Sequence, residues 1–189
     1  MSAKKNQRWV MVIDPSKCID CKACDVACKR ENRIDAQGRR DTYRNWITSK
    51  GIEGTYPNLK QRFEPSQCQH CQNPPCVKVC PTSASYQTAD GVVAIDYKRC
   101  IVCATCILAC PYDARYKSAQ TKVIDKCTFC YHRIHEGKLP ACVDTCPTKV
   151  RVFGDLNDPD SEVSRLLAQR HYYVLKPEKG TQPSLFYLS

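Results

Sequence analysis

The sequence contains few of the residues from which an ordinary hydrophobic core is built. Among its 189 residues are only 4 Phe, 2 Trp and 4 His. No stretch approaches the roughly 18 consecutive apolar residues that predict a membrane-spanning helix. The charged start of the chain lacks the apolar segment of a secretory signal, and the internal pair Arg39-Arg40 is followed by Asp41, unlike a twin-arginine signal. We therefore expect export or membrane attachment to occur through a partner.

Signatures of catalysis and of nucleic-acid binding are also missing. The sequence shows no Ser/His/Asp set, no glycine-rich phosphate loop and no open metal site. Its formal net charge is +10, yet it has no dense basic run, only short pairs such as Lys4-Lys5 and Arg39-Arg40. Proteins that bind phosphate backbones cluster their basic residues on one face. These absences disfavour both an enzyme and a nucleic-acid-binding protein.

What the sequence does contain is cysteine, with 16 residues in four tight quartets. The third quartet has the spacing C-x₂-C-x₂-C-x₃-C-P, which is typical of iron–sulfur ligation in bacterial ferredoxins. Its members are Cys100, Cys103, Cys106 and Cys110. Three thiolates on a tight loop can hold three iron corners of one 4Fe–4S cluster. The last gap places Cys106 and Cys110 at i and i+4 of a helix, about 5–6 Å apart, so Cys110 is suited to face a neighbouring cluster.

The other three quartets follow variants of this pattern. The first has the same gaps without the closing proline, the second is two residues longer, and the fourth has eleven residues between its second and third members. We interpret the longer gaps as insertions into cluster-binding loops, because loops tolerate insertions. The members are Cys18, Cys21, Cys24 and Cys28; Cys68, Cys71, Cys76 and Cys80; and Cys127, Cys130, Cys142 and Cys146.

Disulfide bonds and zinc sites are two further reasons for a high cysteine content. Disulfides are disfavoured because the two cysteines of a C-x₂-C pair bond poorly to each other. Zinc sites use separated C-x₂-C pairs, in which a third cysteine three residues further on has no natural place.

Iron–sulfur clusters would also change the net charge of the protein. With sixteen thiolates and four oxidised cluster cores of about +2 each, the formal charge of +10 becomes about +2.

The chain contains an internal repeat. A shift of 82 residues lays the first quartet and the stretch before it on the third quartet without a gap, so that Val10 falls on Val92 and Ile19 on Ile101. Each repeat is predicted to consist of a strand that enters a cluster loop and a short helix that leaves it. The first such strand is predicted at residues 9–14.

About forty polar residues, 29–67, separate the first quartet from the second and contain several glycines. We interpret them as an irregular surface insertion. Trp46 and Tyr56 within it serve either local packing or partner binding, and local packing is favoured.

The pattern changes after the fourth quartet. Residues 150–153 are predicted to form a strand and Gly154-Asp155 a turn. Asp158-Pro159 resembles a helix start, with a capping residue followed by proline, for a helix that ends near Gln169. The apolar tip at residues 185–188 either folds back on its own domain, the favoured alternative, or docks to a partner.

Four quartets in this order, with a stretched second and a split fourth, resemble the four-cluster ferredoxin subunit of complex iron–sulfur molybdoenzymes. This family serves polysulfide, thiosulfate, tetrathionate, arsenate and dimethyl sulfoxide reductases, nitrate reductase and formate dehydrogenase. The resemblance covers nearly the whole chain. The run C-V-D-T-C-P at 142–147, followed by R-V-F-G-D-L-N-D-P at 151–159, is particularly similar to tetrathionate and arsenate reductase subunits. The compact spacing of the third and fourth quartets favours the tetrathionate, polysulfide and thiosulfate branch.

The resemblance implies four 4Fe–4S clusters held by nested quartets, the first paired with the fourth and the second with the third. The i, i+4 geometry of the last two cysteines in a quartet independently favours such an exchange. One cluster would take Cys18, Cys21, Cys24 and Cys146, and the next Cys127, Cys130, Cys142 and Cys28. The third would take Cys68, Cys71, Cys76 and Cys110, and the fourth Cys100, Cys103, Cys106 and Cys80.

The implied fold class is α+β, with two nested bacterial-ferredoxin-like units made of short strands, short helices and cluster-binding loops. Unit A would comprise residues 1–30 and 120–189, including a C-terminal extension. Unit B would comprise residues 67–119, and residues 31–66 would form a long polar insertion.

The implied function is electron transfer between a quinone-reactive integral membrane subunit and a molybdopterin-containing catalytic subunit. The catalytic subunit would reduce a sulfur oxyanion, polysulfide or a similar anaerobic acceptor. The chain would be held at the membrane through a partner, on the periplasmic side, after export with its catalytic subunit. A polyferredoxin-like subunit of a formate dehydrogenase or hydrogenase is the alternative, and a zinc-binding interaction module is an alternative of a different class.

Overall fold

The computed structural model describes residues 7–34 and 43–189. Within these ranges the helices are α1 (Ala23–Glu31), α2 (Pro75–Lys78), α3 (Thr105–Leu108), α4 (Tyr131–Ile134), α5 (Ala141–Asp144) and α6 (Glu162–Gln169). The strands are β1 (Trp9–Ile13), β2 (Asn45–Glu53), β3 (Lys60–Gln67), β4 (Ser85–Gln87), β5 (Val93–Ile95), β6 (Tyr116–Lys117), β7 (Ile124–Asp125), β8 (Arg151–Asp155), β9 (Tyr172–Tyr173) and β10 (Leu185–Leu188). None of the helices in these ranges combines the length and apolar character required to traverse a bilayer.

The sheet with the most strands in the described residues is four-stranded, in the order β8-β1-β10-β9. The predicted first strand is confirmed as β1, which lies antiparallel to β8 and parallel to β10. Side chains alternate across a strand, so Val10 and Val12 pack on the side of α6, whereas Met11 and Ile13 pack on the side of the cysteines. β1 therefore joins an ordinary apolar layer to a cysteine-rich core.

The C-terminal tail folds back on its own chain. Residues 185–188 are all buried in β10, and the Tyr187 hydroxyl donates to the backbone oxygen of Pro65 at 3.2 Å. Just before the strand, the backbone N–H of Ser184 donates to the backbone oxygen of Gln69 at 2.8 Å. The favoured prediction of an internally packed tail is confirmed.

The insertion between the first and second quartets is more regular than predicted. Its described part contains the antiparallel hairpin β2–β3, with a bulge between Ser49 and Ile52. Gly54, at φ +96°, allows the chain to reverse, because a Cβ there would clash with the backbone oxygen of Asn58. Glycine in this segment thus belongs to a hairpin tip. The pair Arg39-Arg40 lies outside the described residues.

The two aromatic residues of this insertion have different surroundings. Trp46 packs against the cysteine-containing core, with its ring 5.4 Å from that of Tyr43. Local packing is confirmed for Trp46. Tyr56 is 85% exposed, so the same prediction is wrong for Tyr56.

The turn predicted at Gly154-Asp155 is wrong, because both residues belong to β8. Glycine is needed there for close packing. A Cβ at position 154 would lie 3.1 Å from Cγ2 of Val163, so the missing side chain lets α6 approach the sheet.

The start of α6 also differs from the prediction, although its end at Gln169 agrees. The capping residue is Ser161, whose side chain accepts a hydrogen bond from the backbone N–H of Ser164 at 3.2 Å. Asp158 and Pro159 lie in the turn before it. A serine hydroxyl satisfies a free N–H of the first helical turn as well as a carboxylate does, so the helix starts at the serine.

The internal repeat is visible in the backbone. Asp20 and Lys22 have φ values of +57° and +61°, and their counterparts 82 residues later, Val102 and Ala104, have φ values of +59° and +63°. Positive φ is unfavourable for residues that carry a side chain. Its recurrence at the same positions shows that the two loops share one conformation.

The predicted helical pairing of the last two cysteines holds for the first quartet but not for the third. Cys24 and Cys28 both lie in α1. α3 ends at Leu108, so Cys106 is helical and Cys110 follows the helix. Pro111 accounts for the difference, because a proline disfavours the helical conformation of the residue before it.

The substitution Leu185→Ala tests the contribution of the tail to stability. Leu185 is fully buried in β10, so its truncation should lower the free energy of unfolding by about 2–5 kcal/mol. Leu139→Ala is the matched control, since Leu139 is 46% exposed. Urea-unfolding midpoints of the cluster-loaded protein, followed by circular dichroism under anaerobic conditions, provide the measurement. Equal midpoints for the two variants would contradict the packing of β10.

Candidate functional site

No disulfide joins any of the sixteen cysteines, which gather into four groups, and each group draws on two quartets. Three groups line cavities. Group I consists of Cys18, Cys21, Cys24 and Cys146. Group II consists of Cys28, Cys127, Cys130 and Cys142. Group III consists of Cys68, Cys71, Cys76 and Cys110.

The remaining four cysteines form group IV: Cys80, Cys100, Cys103 and Cys106. The thiols of Cys80 and Cys103 interact electrostatically, and Cys100 packs with Cys106 in one apolar cluster. Cys80 belongs to the second quartet and the other three to the third, so group IV also combines two quartets.

Two helix pairs position these groups. α1, which carries Cys24 and Cys28, packs against α5, which carries Cys142. α2, which carries Cys76, packs against α3, which carries Cys106. The first helix pair therefore joins the first quartet to the fourth, and the second pair joins the second quartet to the third. Each pair places cysteines of two groups next to each other.

The loops between the cysteines have strained backbones. Besides the residues of the repeat, His70 in the second quartet and Phe129 and Cys130 in the fourth have positive φ. The ring of His70 is fully buried and stacks on that of Phe129 at 3.7 Å. Backbone strain of this kind persists where surrounding contacts enforce it and is concentrated at functional sites. The loops are therefore shaped to direct their thiols into the cavities.

Exposure differs between the inner and outer groups. Every thiol of group II is buried, and so are three of the four in group III. Groups I and IV each contain one exposed cysteine, Cys21 and Cys103 respectively, and these two occupy equivalent positions of the repeat. Groups I and IV therefore lie near the surface, whereas groups II and III lie inside.

Burial raises the pKa of the inner thiols. Removal from water, reinforced by neighbouring cysteines, raises the pKa of Cys28 to about 11 and that of Cys71 to about 12. Burial likewise raises the pKa of Cys142 to about 12. Metal ligation requires the thiolate, so a buried cationic iron core is needed to compensate this charge. The chemistry of the donor sets fits 4Fe–4S clusters, and cluster insertion should release protons.

Backbone N–H groups donate to several of these sulfurs. Ser85 donates to Sγ of Cys80 and Val150 to Sγ of Cys146, both at 3.4 Å. Hydrogen bonds to cysteine sulfur stabilise the charged ligand and tune the reduction potential of a bound cluster. The two contacts follow the C-P-T segments of two quartets, which gives groups I and IV similar surroundings.

The cysteine groups differ from a site that holds a single metal ion. In the described part of the chain, no three His, Cys, Asp or Glu side chains converge closely enough to hold a single metal ion. The cysteines of groups I, II and III instead line cavities between two segments of the chain.

Sequence reasoning missed the charged residues that surround the thiols. Arg115, Lys126 and Arg151 are buried next to cysteine sulfurs. Arg44 is also close to group II and pairs with Asp125 at 2.9 Å. One signal was available: Arg115 and Arg151 are each the fifth residue after the last cysteine of a quartet.

Comparison with known proteins supports this description. The family described as "4Fe-4S dicluster domain" matches residues 59–156 and, in a second version, residues 17–84. The chain is 45% identical over 183 residues to the B subunit of tetrathionate reductase of Salmonella typhimurium, covering 96% of this chain and 72% of the relative. It is 41% identical over 183 residues to the B polypeptide of polysulfide reductase of Wolinella succinogenes, with 95% and 93% covered. It is 44% identical over 196 residues to the B subunit of sulfite dehydrogenase of Allochromatium vinosum, with 94% and 81% covered.

The short helices and strands, the four cysteine groups and the matched domains define a ferredoxin-like 4Fe–4S protein with four clusters. More specifically, the chain belongs to the family of iron–sulfur B subunits of molybdoenzyme complexes. It is an electron-transfer component rather than a catalytic subunit. The zinc and disulfide alternatives are therefore wrong.

Metal analysis checks the cofactor content. Four 4Fe–4S clusters require about 16 iron atoms and about 16 acid-labile sulfides per chain, in protein purified without oxygen. A value near 12 iron atoms, or stoichiometric zinc, would contradict four complete clusters.

Proposed function

We propose that the four groups are the ligand sets of the four clusters. Cluster I is held by Cys18, Cys21, Cys24 and Cys146, and cluster II by Cys127, Cys130, Cys142 and Cys28. Cluster III is held by Cys68, Cys71, Cys76 and Cys110, and cluster IV by Cys100, Cys103, Cys106 and Cys80. The lining of the three cavities supports the first three sets, and the electrostatic interaction of Cys80 with Cys103 supports the fourth.

The proposed ligand sets divide the chain into two nested units. Unit A comprises residues 1–30 and 120–189 and holds clusters I and II. Unit B comprises residues 67–119 and holds clusters III and IV, with 31–66 as an insertion. The packing of α1 on α5 and of α2 on α3 supports this division. The tail also fastens the two units, since the hydroxyls of Tyr112 and Thr181 lie 2.5 Å apart.

The proposed function is a linear relay in the order I, II, III, IV between two partner subunits. The observation that carries it is the exposure pattern, because two buried clusters between two outer ones form a path with an entry and an exit. Ile19 and Ile101, which occupy equivalent positions beside groups I and IV, are each 63% exposed. Exposed apolar side chains beside the outer clusters suit the contact surfaces of partners.

The partners of this relay are a molybdopterin-containing catalytic subunit at cluster I and a quinone-reactive membrane subunit at cluster IV. The substrate class is a sulfur oxyanion, polysulfide or a related acceptor, because the relatives are named for tetrathionate, polysulfide and sulfite. These names favour this assignment over a formate dehydrogenase or hydrogenase subunit. Attachment to the membrane occurs through the membrane partner, on the periplasmic side, after export with the catalytic subunit.

Serine variants test the nested ligand sets. Cys146→Ser and Cys21→Ser should perturb the same paramagnetic signal of the reduced protein, because both residues serve cluster I. Cys80→Ser is the matched comparison and should perturb the signal that Cys103→Ser perturbs. Electron paramagnetic resonance provides the measurement. If Cys146→Ser leaves intact the signal that Cys21→Ser removes, the nested assignment is wrong.

The relay itself is tested in the assembled complex with the catalytic subunit present. Cys103→Ala disrupts cluster IV and should abolish quinone-linked turnover, because electrons lose their path from the membrane. A small dye that exchanges electrons with the catalytic subunit directly should still support activity, which controls for assembly. A variant that assembles, lacks cluster IV and keeps full quinone-linked activity would refute the relay.

A further inference from the structure

Three buried cations lie among the cysteine groups without a carboxylate partner. Arg115, Lys126 and Arg151 are 4%, 1% and 2% exposed. In the described residues, none of the three forms an ion pair with Asp or Glu, although Arg44 and Arg170 do. An uncompensated buried charge is strongly unfavourable. Their burial therefore requires negative charge nearby, and the thiolates with their clusters supply it.

Arg115 lies between groups III and IV. Its Nη2 donates to Sγ of Cys76 at 2.9 Å and to the Ser85 hydroxyl at 2.7 Å. The guanidinium also interacts with Cys68 of group III and with Cys106 of group IV. Its Nη1 is buried without a hydrogen-bond partner in the protein.

Arg151 occupies the corresponding position between groups I and II. Its guanidinium interacts with Cys24 of group I and with Cys142 and Cys127 of group II. Nη1 donates to Oε1 of Gln67 at 2.5 Å, whereas Nη2 is buried without a partner. Both arginines thus retain an N–H donor that is free to face a cluster.

Lys126 lies between groups II and III, where the two units meet. Its Nζ donates to the backbone oxygens of Val93 and Cys127. The same ammonium interacts with Cys68 of group III as well as with Cys127 of group II. The three cations therefore occupy the three successive gaps of the proposed relay, one in each.

We propose that Arg151, Lys126 and Arg115 are positioning charges that raise the reduction potentials of the two clusters on either side of each gap. One-electron reduction adds a negative charge to a cluster and changes no bond, so a nearby fixed cation stabilises the reduced state. A cation shared by two clusters also attracts both added electrons, which offsets part of the repulsion between neighbours that are both reduced. This inference rests on the proposed ligand sets and extends them, because it assigns a role to residues that ligate nothing.

Neutral variants of similar size test the inference through the potentials of the four clusters. Arg151→Gln, Lys126→Met and Arg115→Gln are compared with Arg165→Gln and Lys117→Met, whose wild-type residues are exposed. The full-length, cluster-loaded chain is titrated anaerobically and followed by electron paramagnetic resonance. Each core variant should lower the equilibrium constant for reduction of two clusters at least tenfold, a shift of about 59 mV for a one-electron couple.

The pattern of shifts carries more information than their size. Arg151→Gln should lower two of the four midpoint potentials, Arg115→Gln the other two, and Lys126→Met one from each pair. Arg151→Lys and Arg115→Lys keep the charge and should retain potentials close to those of the wild type. If the core variants hold about 16 iron atoms but shift no potential beyond the surface controls, the inference is wrong.

A second measurement applies if the glutamine variants fail to bind clusters. Wild-type protein labelled with ¹⁵N-arginine should show a nitrogen coupling to the reduced clusters by pulsed paramagnetic resonance, because a guanidinium nitrogen lies 2.9 Å from Cys76 Sγ. Absence of this coupling would overturn the inference for Arg115. The proposed ligand sets are tested separately by the serine variants. If those variants contradicted the ligand sets, the effect of the three cations on the reduction potentials could still be measured.

Discussion

The exchange of cysteines between distant quartets is the constraint on which the rest of the structure depends. Cys146 lies beside Cys18 and Cys24, and Cys28 beside Cys127, although more than ninety residues separate them along the chain. The pairing of β1 with β8 follows directly, because these strands border the segments that carry Cys18 and Cys146. With few aromatic side chains available, the thiol-lined cavities take the place of a larger apolar core.

Electrostatics couples this arrangement to the cofactors. Burial raises the pKa of Cys28 to about 11 and that of Cys142 to about 12, so the thiols resist ionisation without metal. The buried guanidinium of Arg151 opposes that shift in the pKa of Cys142. The cations are unfavourable without anions, and the thiolates are unfavourable without cations. Cluster binding, thiol ionisation and burial of the cations therefore stabilise one another, as expected when metal binding is coupled to folding.

The sequence predicts the parts of this protein that depend on spacing and fails where tertiary packing decides. The resemblance to the four-cluster family implies the four cysteine sets, and β1 and the internally packed tail follow from the repeat and from apolar runs. The hairpin β2–β3 does not, since its outer half is exposed and offers no hydrophobic alternation to read. Gly154 looks like a turn residue, but its role is to admit Val163. The burial of Arg115, Lys126 and Arg151 was missed because arginine and lysine are ordinarily surface residues.

Groups I and IV share the cysteine repeat but differ in what surrounds it. Ile47 and Pro65 of the hairpin β2–β3 line the cavity of group I. Lys176 and Lys179 from the tail line a polar depression together with Cys110 of group III and with Leu108 of α3, the helix that carries Cys106 of group IV. These neighbours come from the insertion and the C-terminal extension, the segments outside the cysteine repeat. The segments outside the cysteine repeat therefore give two similar cluster loops different surroundings.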